Sequence, residues 1–242
     1  ENISGPLMVI AGAGSGKTRV LTYRIVHLLK NGVDPFNILS LTFTNKAAKE
    51  MKERIEKIIG LDAKNIWMGT FHSVFAKILR YEADKLGYPS NFTIYDTDDS
   101  KALLRRIIKD MNLDTDIYKV NIVQSRISSF KNNLITVKAY NNNAELKTQD
   151  DSAHRPQMGA IYEKYVKECF KSGAMDFDDL LLKTNELLFR HPDILHKYQH
   201  RFQYVLVDEY QDTNHSQYLI VKALAALNEN ICVVGDDAQS IY

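Results

Sequence analysis

The sequence predicts an α/β protein in which a parallel β-sheet, covered by helices on both faces, is interrupted by an inserted all-helical subdomain. Three observations carry this prediction. An apolar run at Leu7–Ile10 leads through the glycine-rich Ala11–Gly16 into a helical pattern, and a second apolar run at Ile38–Phe43 leads into another helical pattern. Between about residues 97 and 189, helical patterns prevail and no comparable strand-like run occurs.

Later strand-like runs extend the predicted sheet. They lie at Ile66–Met68, Tyr204–Val207 and Ile231–Val234, and each ends in polar or glycine-containing residues. Near-continuous apolar strands are typical of parallel sheets that are buried on both faces. Because the sheet pattern resumes after the helical stretch, we predict three segments: the first part of the sheet domain at 1–97, the helical insertion at 98–189, and the second part of the sheet domain at 190–242.

The composition predicts a soluble globular protein. The 242 residues are 45% hydrophobic and 25% charged, with a formal net charge of +1, which neither supports nor excludes a nucleic-acid partner. No apolar stretch approaches the roughly 20 residues that cross a membrane, and no signal-like segment opens the chain. Cys169 and Cys232 lie far apart without metal-ligand spacing. We therefore expect reduced thiols, with Cys232 buried, in a cytoplasmic protein that has no membrane partner.

The segment Gly12–Thr18, GAGSGKT, is typical of a phosphate-binding loop. Small residues let backbone N–H groups surround phosphates, Lys17 neutralises their charge, and the Thr18 hydroxyl can hold Mg²⁺. The helix that follows directs the positive end of its dipole to the same place. The strict pattern has glycine where Ala11 stands. A glycine-rich helix cap is the alternative, but a cap does not explain a lysine beside a threonine at this point.

Two acidic residues, Asp208 and Glu209, directly follow the apolar run Tyr204–Val207. Ligands of α/β sheets bind at the carboxyl ends of the strands. We predict that Asp208 coordinates Mg²⁺, directly or through water, and that Glu209 orients and deprotonates the water that attacks a γ-phosphate. Adjacent acids after a strand are more often a helix cap or a solvated turn. The predicted phosphate-binding loop at Gly12–Thr18, which contains Lys17, favours the interpretation that these acids bind Mg²⁺ and activate water.

Five short segments follow one another in a family-specific order. They are AGAGSGKT at Ala11–Thr18, LTFTNKAAKEM at Leu41–Met51, GTFHS at Gly69–Ser73, VDEYQDTN at Val207–Asn214, and GDDAQSIY at Gly235–Tyr242. In this order and spacing they resemble motifs I, Ia, Ib, II and III of superfamily 1 DNA helicases, and they are most similar to the UvrD, Rep and PcrA group. The resemblance covers essentially the whole chain. It implies a RecA-like P-loop NTPase subdomain, 1A, interrupted by a helical subdomain, 1B.

The resemblance also implies an ATP-dependent motor that moves along single-stranded DNA, usually 3′ to 5′, with ATP and Mg²⁺ as cofactors and with single-stranded DNA and single-strand/duplex junctions as partners. It implies catalytic roles for Lys17, Glu209 and Gln239, the last as a sensor of the γ-phosphate, since a glutamine donates without carrying a charge. The implied metal ligands are Thr18 and Asp208. The implied nucleotide-binding residues are Ala11, Gly12, Ala13, Gly14, Ser15, Gly16, Lys17, Thr18 and Arg19. The implied DNA-binding residues are Phe43 and Tyr242, which stack on bases, and Thr42, Asn45, Thr70 and His72, which lie near the DNA backbone.

Some of these positions have structural alternatives. A strand-end core residue is the alternative for Phe43, and a hydrogen-bonded turn residue is the alternative for His72. Basic runs at Lys46–Arg54 and Arg105–Lys109 are more typical of solvated helix faces than of DNA contacts. The acids of Asp176–Asp179 resemble a family signature, but helix capping and the helix dipole explain them, so no catalytic role is predicted there.

Two rival functions stay open at this point: a noncatalytic DNA-binding module made from a degenerated motor, and the motor part of a RecB-like helicase–nuclease. The intact Lys17, Asp208, Glu209 and Gln239 argue against degeneration, although Ala238 stands where relatives often have an acid. The resemblance implies an upstream glutamine motif and a second motor domain with arginines, and the chain contains neither. We therefore expect a monomeric fragment of a longer enzyme, inactive in hydrolysis and unwinding by itself.

Overall fold

The chain forms two compact units in the computed structural model, which describes residues 3–12 and 16–236. Unit 1 combines residues 1–77 with residues 184–242, and unit 2 is Ile78–Lys183. The helical insertion was predicted at 98–189, so unit 2 begins and ends earlier than that prediction. The assignment of the two units to subdomains 1A and 1B stays a prediction.

Seven strands occur in the described residues: β1 (Leu7–Ile10), β2 (Ile38–Thr42), β3 (Trp67–Thr70), β4 (Thr93–Tyr95), β5 (Ala174–Asp176), β6 (Tyr204–Val207) and β7 (Ile231–Gly235). Five of them form the sheet of unit 1, in the order β1-β7-β6-β2-β3, and every pairing in it is parallel. These are the five runs that the sequence predicted as strands. The predicted α/β fold with a parallel sheet is confirmed.

Eleven α-helices occur in the same described residues. They are α1 (Lys17–Lys30), α2 (Asn45–Ile59), α3 (Phe71–Tyr81), α4 (Thr97–Asp110), α5 (Val120–Asn132), α6 (Val137–Asn141), α7 (Ala144–Ser152), α8 (Met158–Lys171), α9 (Phe177–Arg190), α10 (Pro192–Arg201) and α11 (His215–Ala225). The unit boundaries fall within α3 and α9. Within the described ranges, no helix has the length and apolar character needed to cross a membrane.

One core of unit 1 lies between the sheet and the helices α1 and α2. Leu21, Ile25 and Leu28 of α1 recur at helical spacing, and they are buried together with Met51 and Ile55 of α2. From the sheet, this core receives Ile38, Leu206, Cys232 and Val234. Burial of this apolar surface, at roughly 25 cal/mol per Å², holds the two helices against the strands. Cys232 is a free, buried thiol, as predicted.

Strand β1 departs from the prediction that the strands are buried on both faces. All five residues of β2 are buried, whereas Leu7, Met8 and Ile10 of β1 are exposed. Strand β1 is exposed because it lies at an edge of the sheet: among the described residues it pairs with β7 on one side only. An apolar run in sequence therefore does not distinguish an edge strand from a central one.

Unit 2 is mostly helical and has its own core. Side chains of α4, α5 and α8 meet in it, among them Leu104, Ile127 and Tyr162. The sequence predicted neither β4 nor β5, which pair in parallel within this unit, and β5 lies inside the stretch 98–189 that was predicted to be all-helical. Each of these strands has three residues, too few for a period-2 pattern to be recognised.

A buried ion cluster lies inside unit 2. The ammonium of Lys131, with no exposed surface, lies 2.7 Å from the Asp176 carboxylate and 2.9 Å from that of Asp179. The Tyr165 hydroxyl donates to Asp176 at 2.8 Å. Burial, followed by the negative charge of Asp176, raises the pKa of Asp179 to about 6. The acids that the sequence assigned to capping thus also neutralise a buried lysine.

Candidate functional site

The loop after β1 ends in a glycine with a left-handed backbone. Gly16 has φ of 89° and is the N-cap residue of α1, a conformation that residues with a Cβ rarely adopt. Its carbonyl accepts from the N–H groups of Arg19 and Val20 and so starts the helix. The N–H of Ala11 donates to Gly235 O at 3.0 Å, so this backbone donor belongs to the sheet. The predicted nucleotide contacts Ala13, Gly14 and Ser15 lie outside the described residues.

The side chain of Lys17 lies between two carboxylates. Its Nζ is 3.1 Å from Glu209 Oε2 and 3.6 Å from Asp236 Oδ2, and the lysine is 7% exposed. Burial lowers the pKa of Lys17, but the hydrogen bond and charge of Glu209, together with Asp236, outweigh burial and raise it above its ordinary value. The lysine is therefore a protonated cation at neutral pH.

Thr18 and Asp208 form a second contact across the site. The Thr18 hydroxyl donates to Asp208 Oδ2 at 2.9 Å, although 190 positions separate the two residues in the chain. The N–H of Asp208 donates to Leu41 O, which continues the pairing of β6 with β2. Burial raises the pKa of Asp208, and the charge of Glu209 adds to this effect, while the Thr18 hydrogen bond opposes it. A cation beside these two oxygens would offset the cost of burying the carboxylate.

Glu209 has an unusual backbone conformation. Its φ and ψ are both 47°, in the left-handed region that costs residues other than glycine about 1 kcal/mol or more. Gln211 Nε2 donates to Glu209 Oε2 at 2.8 Å, and Gln211 Oε1 accepts from the N–H of Asp236 at 3.0 Å. No role is predicted from the sequence for Gln211 or Asp236. The available signal was their presence in the motif segments that begin at Val207 and Gly235.

A cavity of about 720 Å³ opens beside these residues. Its lining includes Gly16, Lys17, Thr18, Arg19 and Glu209, and it continues to Tyr23 on α1 and to Glu50, Arg54, Lys57 and Ile58 on α2. The Arg19 guanidinium lies over the Tyr23 ring, 5.5 Å from its centre. Four cations and two carboxylates line the cavity, which suits an anionic ligand.

The donors in the site fit a hard divalent cation. Thr18 and Asp208 offer a hydroxyl and a carboxylate oxygen within 2.9 Å of one another. The described residues contain no group of three or more His, Cys, Asp or Glu side chains suited to a metal ion. Mg²⁺ in phosphate sites uses one or two protein oxygens together with phosphate and water, so this donor set suits Mg²⁺ held with a nucleotide.

The predicted DNA-binding residues that the structure describes gather at one end of the same sheet edge. Thr42 and Thr70 are register partners at the carboxyl ends of the neighbouring strands β2 and β3. Phe43 and Phe71 follow them, and their ring centres lie 5.5 Å apart. In the strand order, the ends of β1, β7 and β6 carry the candidate nucleotide residues, and the ends of β2 and β3 carry the candidate DNA residues.

The candidate DNA residues differ in exposure. Thr42 is fully buried and its hydroxyl donates to Thr44 O at 3.2 Å, so its side chain does not reach the surface. Phe43, Thr70 and His72 are half-buried, and Asn45 is exposed. Burial of Thr42 follows from its place on an interior strand of the sheet, between β6 and β3. Gln239 and Tyr242 lie outside the described residues.

Comparison with known proteins decides the family. The profile of the UvrD/REP helicase N-terminal domain matches residues 1–242. The chain belongs to this family. It is 46% identical to ATP-dependent DNA helicase PcrA of Staphylococcus aureus strain COL over 100% of the chain and 32% of that protein. It is also 46% identical to ATP-dependent DNA helicase PcrA of Staphylococcus epidermidis over 98% of the chain and 32% of that protein.

Membership of the UvrD/REP helicase N-terminal domain family confirms the resemblance found in the sequence. The chain spans 32% of the length of the curated relatives it matches. Within this UvrD/REP domain, the structure brings Lys17, Thr18, Asp208 and Glu209 to one edge of the sheet. Their roles and those of the candidate DNA residues stay predictions.

Proposed function

We propose that this chain is the nucleotide-binding part of an ATP-dependent DNA helicase, and that it binds MgATP at the carboxyl edge of β1, β7 and β6. The observation that carries the proposal is the convergence of Lys17, Thr18, Asp208 and Glu209. The lysine lies 3.1 Å from Glu209, and the threonine lies 2.9 Å from Asp208. A noncatalytic module would not require these four groups to meet.

Each of these residues has a role in the proposed site. Lys17 leaves its carboxylate partners and binds the β- and γ-phosphates, while Thr18 and Asp208 hold Mg²⁺. When bound, Mg²⁺ would supply positive charge to the phosphate oxygens. Glu209, next to the metal-binding Asp208, accepts a proton from the attacking water.

The ends of β2 and β3 are the proposed path of single-stranded DNA. Asn45 is exposed and Thr70 is half-buried at this edge, and both offer polar groups to a DNA backbone. Phe43 packs against Phe71 and is half-buried, so it retains exposed surface that could stack on a base. In a protein of the relatives' full length, we propose movement 3′ to 5′ along this strand and opening of single-strand/duplex junctions.

Replacement of Lys17 tests the nucleotide site. In a full-length protein carrying this chain, we expect Lys17→Ala to abolish ATP turnover and to weaken MgATP binding, since this ammonium is the cation aimed at the β- and γ-phosphates. Steady-state ATPase activity with single-stranded DNA and isothermal titration with MgATP measure the two effects. Lys30→Ala, an exposed lysine at the other end of α1, is the matched control. Near-normal turnover in a folded Lys17 variant would refute the site.

The DNA path and the direction of movement along the strand need a separate assay. Duplexes with a 3′ tail or a 5′ tail distinguish the two directions, and we expect unwinding of the 3′-tailed substrate. Asn45→Ala should weaken single-strand affinity, measured by fluorescence anisotropy, while leaving MgATP binding intact. Equal unwinding of both substrates would contradict the proposed polarity but not the nucleotide site.

A further inference from the structure

Four residues of the candidate site form a closed ring of polar contacts. Lys17 Nζ contacts the Glu209 carboxylate at 3.1 Å, and Gln211 Nε2 donates to that same oxygen at 2.8 Å. Gln211 Oε1 accepts from the N–H of Asp236 at 3.0 Å, and Asp236 Oδ2 lies 3.6 Å from Lys17 Nζ. The ring links the start of α1, the end of β6 and the end of β7.

Gln211 makes two specific contacts in this ring. Its amide nitrogen donates to a side chain and its amide oxygen accepts from a backbone N–H, so both ends of the amide are used. The neighbouring strand leaves room for it, because a Cβ on Gly235 would lie 2.9 Å from Gln211 Oε1. The absence of a side chain at Gly235 thus permits the close approach of the glutamine to β7.

The carboxylate of Glu209 needs support from its surroundings. Its backbone is in the left-handed region, its side chain is 36% exposed, and three torsions separate the carboxylate from the backbone. Left-handed backbone at a residue with a Cβ persists only where neighbouring groups hold it. Lys17 and Gln211 are the described residues that contact the carboxylate.

Nucleotide binding would remove one of these two supports. In the proposed function, on which this inference rests, Lys17 turns to the phosphates of ATP and its contact with Glu209 weakens. Among the described residues, Gln211 is then the remaining contact that fixes the carboxylate relative to β7. We infer that Gln211 is a positioning residue for hydrolysis: its amide holds Glu209 in place to accept the proton of the attacking water while Lys17 binds phosphate.

A set of variants of the full-length protein tests the inference. Gln211→Met keeps the length of the side chain and removes its hydrogen bonds to Glu209 and Asp236, together with a longer one to Asp212 at 3.4 Å. We expect kcat for DNA-stimulated ATP hydrolysis to fall about ten- to a hundredfold, since a misplacement of about 1 Å costs this much in rate. KM for ATP and the affinity for MgADP should change less than about threefold, because Lys17 and Thr18 are intact.

Two further variants test the contact with Glu209 in other ways. Gln211→Glu retains an acceptor for the Asp236 N–H but loses the donor to Glu209, so we expect kcat to fall as it does in Gln211→Met. Gly235→Ala leaves Gln211 unchanged and displaces it, with the same expected fall. Gln217→Met is the matched control, because this buried glutamine caps α11 through Asn214 and touches no group of the ring. It should lower the melting temperature and leave kcat unchanged.

The outcomes separate the inference from the proposed function. Wild-type kcat in a folded Gln211→Met or Gln211→Glu protein would overturn the positioning role while leaving MgATP hydrolysis intact. Parallel losses of kcat and MgADP affinity would overturn it in favour of a general structural role. A full-length protein with no ATPase activity would refute the proposed function, and this inference with it.

Discussion

Replacing Glu209 with glutamine separates two roles of this residue that the geometry combines. Glu209→Gln keeps the size of the side chain and the acceptor for Gln211, but it removes the negative charge. The proposed base for the attacking water is lost. At the same time Lys17 loses the negative charge that lies 3.1 Å away and keeps that of Asp236 at 3.6 Å. The rate of ATP hydrolysis should therefore fall, while the affinity for MgATP should rise.

The two effects differ in size. Loss of a positioned base typically lowers the rate of the chemical step about 10²- to 10⁴-fold. The ion pair that opposes nucleotide binding is weaker, because Glu209 is 36% exposed and solvent screens it. Such a pair contributes up to about 1 kcal/mol, so its removal should strengthen MgATP binding by at most about fivefold.

Single-turnover measurements test this prediction. Rapid quenching with radiolabelled ATP gives the rate of the chemical step in the full-length protein, and isothermal titration with MgATP gives the affinity. Glu229→Gln is a suitable control, since Glu229 is also a glutamate with positive φ, 53°, but is exposed and makes none of the contacts described for the site. Its rate and affinity should equal those of the wild type.

Two results would refute the reasoning. A chemical step within about threefold of the wild type would show that Glu209 is not the base. A loss of MgATP affinity equal to that of Lys17→Ala would show that Glu209 helps to hold the nucleotide, which contradicts the division of roles between it and Asp208.

Three further predictions concern DNA, pH and the extent of the motor. Tyr242→Ala in the full-length protein should weaken the affinity for single-stranded DNA about five- to a hundredfold without creating a base preference, because one stacking contact is worth about 1–3 kcal/mol. Fluorescence anisotropy measures this affinity, and thermal melting measures the stability of the variant. Unchanged affinity in a destabilised protein would show that the tyrosine is structural. Asp179 has a pKa of about 6 in the folded protein, above its ordinary value, so the folded state binds this proton more tightly than the unfolded state does. Its contribution to the free energy of unfolding therefore falls as the pH rises from about 4 to 6. The pKa of Asp176 is lowered and that of Lys131 is raised, so their transitions lie outside this window. The free energy of unfolding in urea should be lower at pH 7 than at pH 4.5, and Asp179→Asn should reduce this difference by about 2 kcal/mol. An identical difference in the variant would contradict the assignment. Residues 1–242 alone should fold without unwinding a tailed duplex, and robust unwinding in a strand-displacement assay would show that the motor needs no further domain.

The sheet strands and the main chemical residues of unit 1 were accessible to sequence reasoning. Strands β2, β6 and β7 are contiguous apolar runs, and burial of most of their residues accounts for that pattern. The acids after β6 follow such a run directly, and Lys17 follows the apolar run of β1 through the glycine-rich Ala11–Gly16, so their place at the carboxyl edge could be inferred. Strands β4 and β5 could not be inferred, because three residues each carry no clear period.

The sequence by itself determined the fold class, the family, and the residue types that would meet a nucleotide, because these depend on local periodicity and on short motifs. The tertiary structure alone decided the strand order, which places candidate nucleotide groups and candidate DNA groups at neighbouring parts of one edge. It also decided that Thr42 is buried and that Gln211 bridges Glu209 to Asp236. These features depend on pairing between segments distant in the chain, such as β2 with β6, and no local pattern of residues specifies such pairing.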